Sequence, residues 1–138
     1  MDIEKKVVKL FDSENCILYG NLILYEEAPD DIDLVAVELT FGNCKISLVR
    51  ENFFSALIAV RRILEKQNIQ IICNGASKTV YPSPMQLSMG TGRVAYKLYT
   101  GQKASMADVV DIFDCDENME FVSIEEQEKF YSDWLKGF

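Results

Sequence analysis

The apolar positions change period along the chain, and the changes mark out the elements. From Arg50 to Asn74 the period is helical and then alternating. Phe53, Phe54, Leu57, Ile58, Ile63 and Leu64 recur at spacings that place them on one broad stripe of a helix over about 52–67. Arg61, Arg62, Glu65 and Lys66 fall mostly on its other side. Asn52 is suited to cap the first turn, because its side-chain oxygen accepts from a free backbone N–H. Asn68 is suited to stop the helix, since asparagine tolerates positive φ. Ile69 to Cys73 is then too short for a helix and β-branched enough for a strand, and Asn74-Gly75 reads as the turn that closes it.

Before this unit the period is two. Glu4–Phe11 reads as a first strand and Asp12–Asn15 as a turn. Cys16–Tyr25 is apolar on both alternating sets, which predicts a strand covered on both faces. Leu34–Phe41 alternates cleanly, with Val35, Val37, Leu39 and Phe41 inward. Gly42-Asn43 is a hairpin turn that leads into Cys44–Val49.

After the unit, residues 75–92 carry two prolines and read as a long loop with at most one helical turn. Arg93–Tyr99 is a strand. A helix starting at Ser105, with Asp108 three residues on and Met106, Val109, Val110 and Phe113 as its apolar side, follows. Residues 114–120 form an acidic linker. Ser123 with Glu126 marks the start of a last helix whose stripe is Ile124, Phe130, Tyr131, Trp134 and Leu135, ending at Gly137. The pattern predicts an α+β fold, residues 1–138 in a single domain: a mainly antiparallel sheet of five or six strands, one main helix and two C-terminal helices.

Composition narrows function by elimination. Histidine is absent, which removes Ser-His and Cys-His pairs and histidine metal sites. Cys16, Cys44, Cys73 and Cys115 show no metal or redox spacing and read as reduced, buried small hydrophobes; no cofactor is implied. Asp108, Asp111, Asp114, Asp116 and Glu117 lack the spacing and central glycine of a calcium loop, and nothing selects two carboxylates as a glycosidase pair. The chain therefore reads as non-catalytic. No run is long enough to span a membrane and no signal-peptide pattern opens the chain, so the expected location is the cytoplasm.

Charge is unevenly placed. Residues 1–107 hold 12 acidic and 12 basic side chains. Residues 108–138 hold 10 acidic ones and only Lys129 and Lys136, so the whole net charge of −8 sits there. Residues 66–107 contain bases and no acid. An acidic end suits a basic protein partner and disfavours direct nucleic-acid binding. The residues expected to meet such a partner are Asp108, Asp111, Asp114, Asp116, Glu117 and Glu120, with Tyr131 and Trp134 as aromatic anchors. A different reading takes Met89-Gly90-Thr91-Gly92-Arg93 as an anion or small-ligand site, built from Gly90, Gly92 and Arg93 with Lys78, Tyr81 and Lys97. It lacks the third glycine of a dinucleotide fingerprint and the Gly-Lys-Ser/Thr of a P-loop.

The block from Asn74 to Asp114, Asn-Gly-Ala-Ser-Lys-Thr-Val-Tyr-Pro-Ser-Pro-Met through Val-Asp-Ile-Phe-Asp, is similar to a block in small bacterial proteins to which no chemistry attaches. The general profile resembles the immunity proteins of bacterial toxin systems, including contact-dependent inhibition. The resemblance implies a small cytosolic protein that covers a toxin's active site, for instance that of a basic nuclease. It rests on profile and maps no family site residue onto a position here.

Overall fold

A computed structural model describes residues 3–137. Four strands run as an antiparallel meander: β1 (Ile3–Phe11), β2 (Ile17–Tyr25), β3 (Val35–Phe41) and β4 (Cys44–Arg50). Helix α1 (Phe53–Lys66) follows, and β5 (Gln70–Ile72) returns to pair with the free side of β1. The sheet order is β4-β3-β2-β1-β5. Its inner face, including Val8, Leu10, Leu22, Leu24, Val37 and Leu39, is fully buried, and so is the inward stripe of α1, Phe53, Leu57, Val60 and Leu64. Both sets belong to one core cluster. At roughly 1.5–3 kcal/mol per buried large side chain, this layer is the main stabilising contact of the fold.

Both expected stops of α1 form. Asn52 has extended backbone and its side chain accepts from the Ser55 N–H at 2.8 Å. Asn68 adopts φ +58. Gly42 takes φ +54 in the β3–β4 turn, where Phe41 pairs with Cys44.

A second, three-stranded antiparallel sheet is built from β6 (Val80–Tyr81), β7 (Val94–Lys97) and β8 (Val109–Asp111), in the order β6-β7-β8. Between β6 and β7 lies a short helix α2 (Pro84–Ser88), and the chain closes with α3 (Ile124–Lys136). Among the described residues no helix is long and apolar enough to cross a membrane.

Several expectations change, among them Arg61, expected on the polar side of α1 and found buried. The helix expected from Ser105 is a single 3-10 turn, Met106–Asp108, followed by β8, so one C-terminal helix forms and not two. Val109 and Val110 are β-branched neighbours, and β7 offers them a ladder, with Ala95 opposite Val110 and Tyr96 opposite Val109. The 75–92 segment holds the one helical turn expected of it, started by Pro84, and in addition a 3-10 turn and β6. Pro84 sits at the first turn of α2, and Ser83 and Gln86 cap one another reciprocally. The Asn74-Gly75 turn forms, as a 3-10 turn leading to β6, but β7 stops at Lys97, before Tyr99. β2 is covered on one face only, since Ile17 and Tyr19 are 50% and 63% exposed. Of the cysteines only Cys73 is buried; Cys16, Cys44 and Cys115 sit at strand ends or in the linker, where no layer covers them.

A polar joint holds the second half onto α1. Arg61 is inside the core, where Nη2 donates to the Val122 carbonyl at 2.8 Å and Nη1 to the Gly75 carbonyl at 3.3 Å and to Gln127 Oε1. Gln127 Nε2 in turn reaches the carbonyls of Gly75, Ser77 and Val80 at 2.7–3.1 Å. Burial pulls the Arg61 guanidinium below its ordinary pKa, offset in part by the Cys73 thiol, Glu65 and Glu128. One turn further along α1, the Glu65 carboxylate accepts from the first N–H of α3, that of Ile124, at 2.8 Å. Ser123 accepts from Glu126 N–H, so the helix start is capped from its own chain and from α1.

Candidate functional site

The Gly90–Gly92 loop docks onto the first turn of α1. The Phe53 N–H donates to the Thr91 carbonyl at 2.7 Å, and the Gly92 N–H to the Gln86 carbonyl at 3.2 Å. Gly92 has φ +71, and a Cβ there would lie 2.9 Å from the Asn52 side chain. Only glycine meets both demands. The loop's polar groups and the helix start thus satisfy one another, which leaves little of the anion cradle that a Gly-x-Gly beside an arginine suggests.

Arg93 is also engaged. It donates from Nε to Asp111 and from Nη2 to Glu4, each at 2.9 Å. Its guanidinium carbon lies 5.4 Å from the Phe113 ring centroid and 6.0 Å from that of Phe53. Burial works against the charge, but the bonds to Glu4 and Asp111 outweigh it and hold the Arg93 pKa above its ordinary value. Lys6 extends the chain of charges, pairing with Asp114 and, at 3.8 Å, with Glu4. These contacts tie β1 of the first sheet to β7 and β8 of the second. Lys78, Tyr81 and Lys97 are not drawn into this cluster. Lys97 lies 5.8 Å from the Tyr99 ring, and Tyr81 stacks on Tyr131 at 3.9 Å, edge-on to Phe54. Burial raises the Tyr81 hydroxyl pKa, with Glu128 and Tyr131 adding to it.

The bond from Arg93, first, and the charges of Arg93 and Lys6 hold the Glu4 carboxyl below its usual 4.5, against the opposing effects of burial and Asp114. A carboxyl depressed in the fold adds stability above its unfolded pKa and loses it as pH falls through the folded value. The urea midpoint is therefore expected to fall below about pH 4.5 in part through this group, and Glu4→Gln to flatten that fall by less than about 1 kcal/mol, since Glu4 is half exposed. Equal pH profiles for the two proteins would contradict the assignment.

The acidic residues split into two groups. Asp111 and Asp114 meet Arg93 and Lys6, and Asp116 exchanges hydrogen bonds with Asn74 at 2.9 and 3.0 Å. Sequence position hid this, because their cations lie far away in the chain. Asp108 is half-buried at the end of its 3-10 turn. Glu117 and Glu120 are exposed, and α3 adds Glu125, Glu126, Glu128 and Asp133, all exposed. Among the described residues no lysine or arginine pairs with any of these six.

Tyr131 and Trp134 are half-buried and make contacts within the molecule. Tyr131 stacks on both Tyr81 and Trp134, and the Trp134 indole N–H donates to the carbonyls of Tyr99 and Gln102 at 3.1 and 3.0 Å. With Pro82 and Tyr96, Tyr81 and these two rings line a 210 Å³ cavity.

Two grooves open on the surface, and the first lies at the Gly90–Arg93 stretch that the sequence singled out. Met85, Met89 and Met106, 70–83% exposed, border a 470 Å³ groove floored by Gly92, Arg93 and Tyr96. The first two are spaced i, i+4 at α2. The other surface is a 510 Å³ groove between β4 and the outer face of α1. By contrast, Cys73 is fully buried and its thiol is pushed up to about 12, which keeps it protonated and unreactive. No group of three His, Cys, Asp or Glu side chains among the described residues has metal-binding geometry. No family model and no curated protein matches the chain.

Proposed function

We propose that the chain is a non-catalytic protein-binding module of immunity type, acting in the cytoplasm to neutralise a basic protein such as a nuclease toxin. The observation that carries this reading is the set of exposed, unpaired carboxylates along the 114–120 linker and α3: Glu117, Glu120, Glu125, Glu126, Glu128 and Asp133. Clustered charge of one sign accelerates encounter with an opposite partner and rejects like-charged ones. Asp111, Asp114 and Asp116 belong to this face only as support, because their oxygens hold the linker in place.

The test compares the protein with a variant carrying E117K, E120K, E126K and D133K, each used to capture partners from host lysate at low ionic strength. One basic partner, released at about 0.5 M salt and bound at least about tenfold less by the variant, is the expected result. Co-expression should relieve that partner's toxicity. Capture unaffected by the four reversals, or of acidic partners alone, would overturn the reading.

A further inference from the structure

A second surface, which shares only Glu128 with the acidic face, lies at the open edge of the main sheet. β4 is an outermost strand with a partner on one side only. The two-residue turn makes Phe41 and Cys44 a closing pair, so Cys44, Ile46, Leu48 and Arg50 direct their backbone bonds to β3. Lys45, Ser47 and Val49 then point theirs outward, leaving three N–H donors and the Lys45 and Ser47 carbonyls open on an edge without proline or bulge, while the Val49 carbonyl accepts from Arg50.

Helix α1 overhangs this edge. Its Ile58 and Ile63, with Leu48 of β4 and Leu87 of α2, form the apolar floor of the 510 Å³ groove. Arg50 and Arg62 stand in the same groove. Arg62 has no partner among the described residues, and Arg50 donates only to the Val49 carbonyl, at 2.7 Å. Glu128 is the one acid in the lining. A strand laid along β4 would send every second side chain into this groove.

We propose that β4 and the α1 groove bind an extended segment of a partner protein by strand addition, with apolar residues seated on Ile58, Ile63 and Leu48 and carboxylates meeting Arg50 and Arg62. Charge selects the occupant. A second copy's β4 reads Cys-Lys-Ile-Ser-Leu-Val-Arg and brings no acid to either arginine. Backbone pairing supplies affinity and the flanking carboxylates supply choice.

The probe is a blocked peptide, acetyl-Asp-Thr-Val-Thr-Val-Thr-Glu-amide, which presents two valines between two acids on one face. Its counterpart has lysine at both acidic positions. Amide shifts on titration should cluster at 44–50 and 54–63, and the acidic peptide should bind about tenfold tighter than the lysine peptide. Arg50→Glu with Arg62→Glu should invert that order, and both side chains are exposed, so the fold is retained. N-methylation of the peptide's edge-facing amides should abolish binding, a control that leaves the protein untouched. Equal binding of the two peptides, shifts confined to other regions, or concentration-dependent dimerisation through β4 without peptide would each overturn the proposal.

Discussion

Arg61→Ala is expected to lower stability by about 3–5 kcal/mol, and the melting temperature by about 10–20 °C. The side chain is 2% exposed, and its guanidinium is the donor for carbonyls that arrive from two other parts of the chain, Gly75 and Val122, and for the Gln127 amide oxygen. Truncation leaves the Val122 carbonyl and Gln127 Oε1 unmatched, while the Gly75 carbonyl keeps the Gln127 amide, and it opens a cavity beneath α3. Arg62, next in sequence but exposed, is the internal comparison: Arg62→Ala should move stability by no more than about 0.5 kcal/mol. The pair Arg61→Met with Gln127→Leu should cost less than the sum of its single changes, because removing both partners orphans fewer groups. Urea unfolding of the five variants, the two single changes of the pair included, measures all of this. A loss under about 1 kcal/mol for Arg61→Ala would mean that the joint is held by something else.

Gly75→Ala should be the most damaging single methyl. The added Cβ would lie 2.4 Å from Leu57 Cδ2, 3.0 Å from Ile112 Cβ and 3.2 Å from the Ile112 carbonyl oxygen. Leu57 can turn aside, but the contact with Ile112 is set by the chain itself, since the Gly75 N–H donates to the Ile112 carbonyl at 2.8 Å. Overpacking here should cost about 1–3 kcal/mol and about 4–12 °C in melting temperature. The position is not in a left-handed conformation, so the penalty is steric and Leu57→Ala should rescue part of it. Absence of rescue would place the strain in the backbone pair.

The first half of the fold was legible because its signals are local. The period-two runs, the Gly42-Asn43 turn and the Asn52 and Asn68 stops each depend on neighbours in sequence, and each forms as the residues suggest. The second half depends on distant contacts. Val109 and Val110 become a strand because Ala95 and Tyr96 are placed beside them, and Pro84, which looks like a breaker, starts α2. Site residues followed the same division. The negative charge of the C-terminal region was readable, whereas the neutralisation of Asp111 by Arg93 and of Asp114 by Lys6 spans separations that no spacing reveals. Both grooves exist only after α1 lies on the sheet and α2 folds over the second one.

The protein's single tryptophan sits at the seam between α3 and the β7–β8 connection, with its ring against Tyr131 and its N–H on two carbonyls of that connection. An indole so placed is a built-in optical reporter. Its emission follows the seating of the last helix and not the integrity of the main sheet, so fluorescence and circular dichroism watch different ends of the same molecule. Where α3 lifts before the sheet melts, the two curves separate; where Arg61 couples them, they coincide.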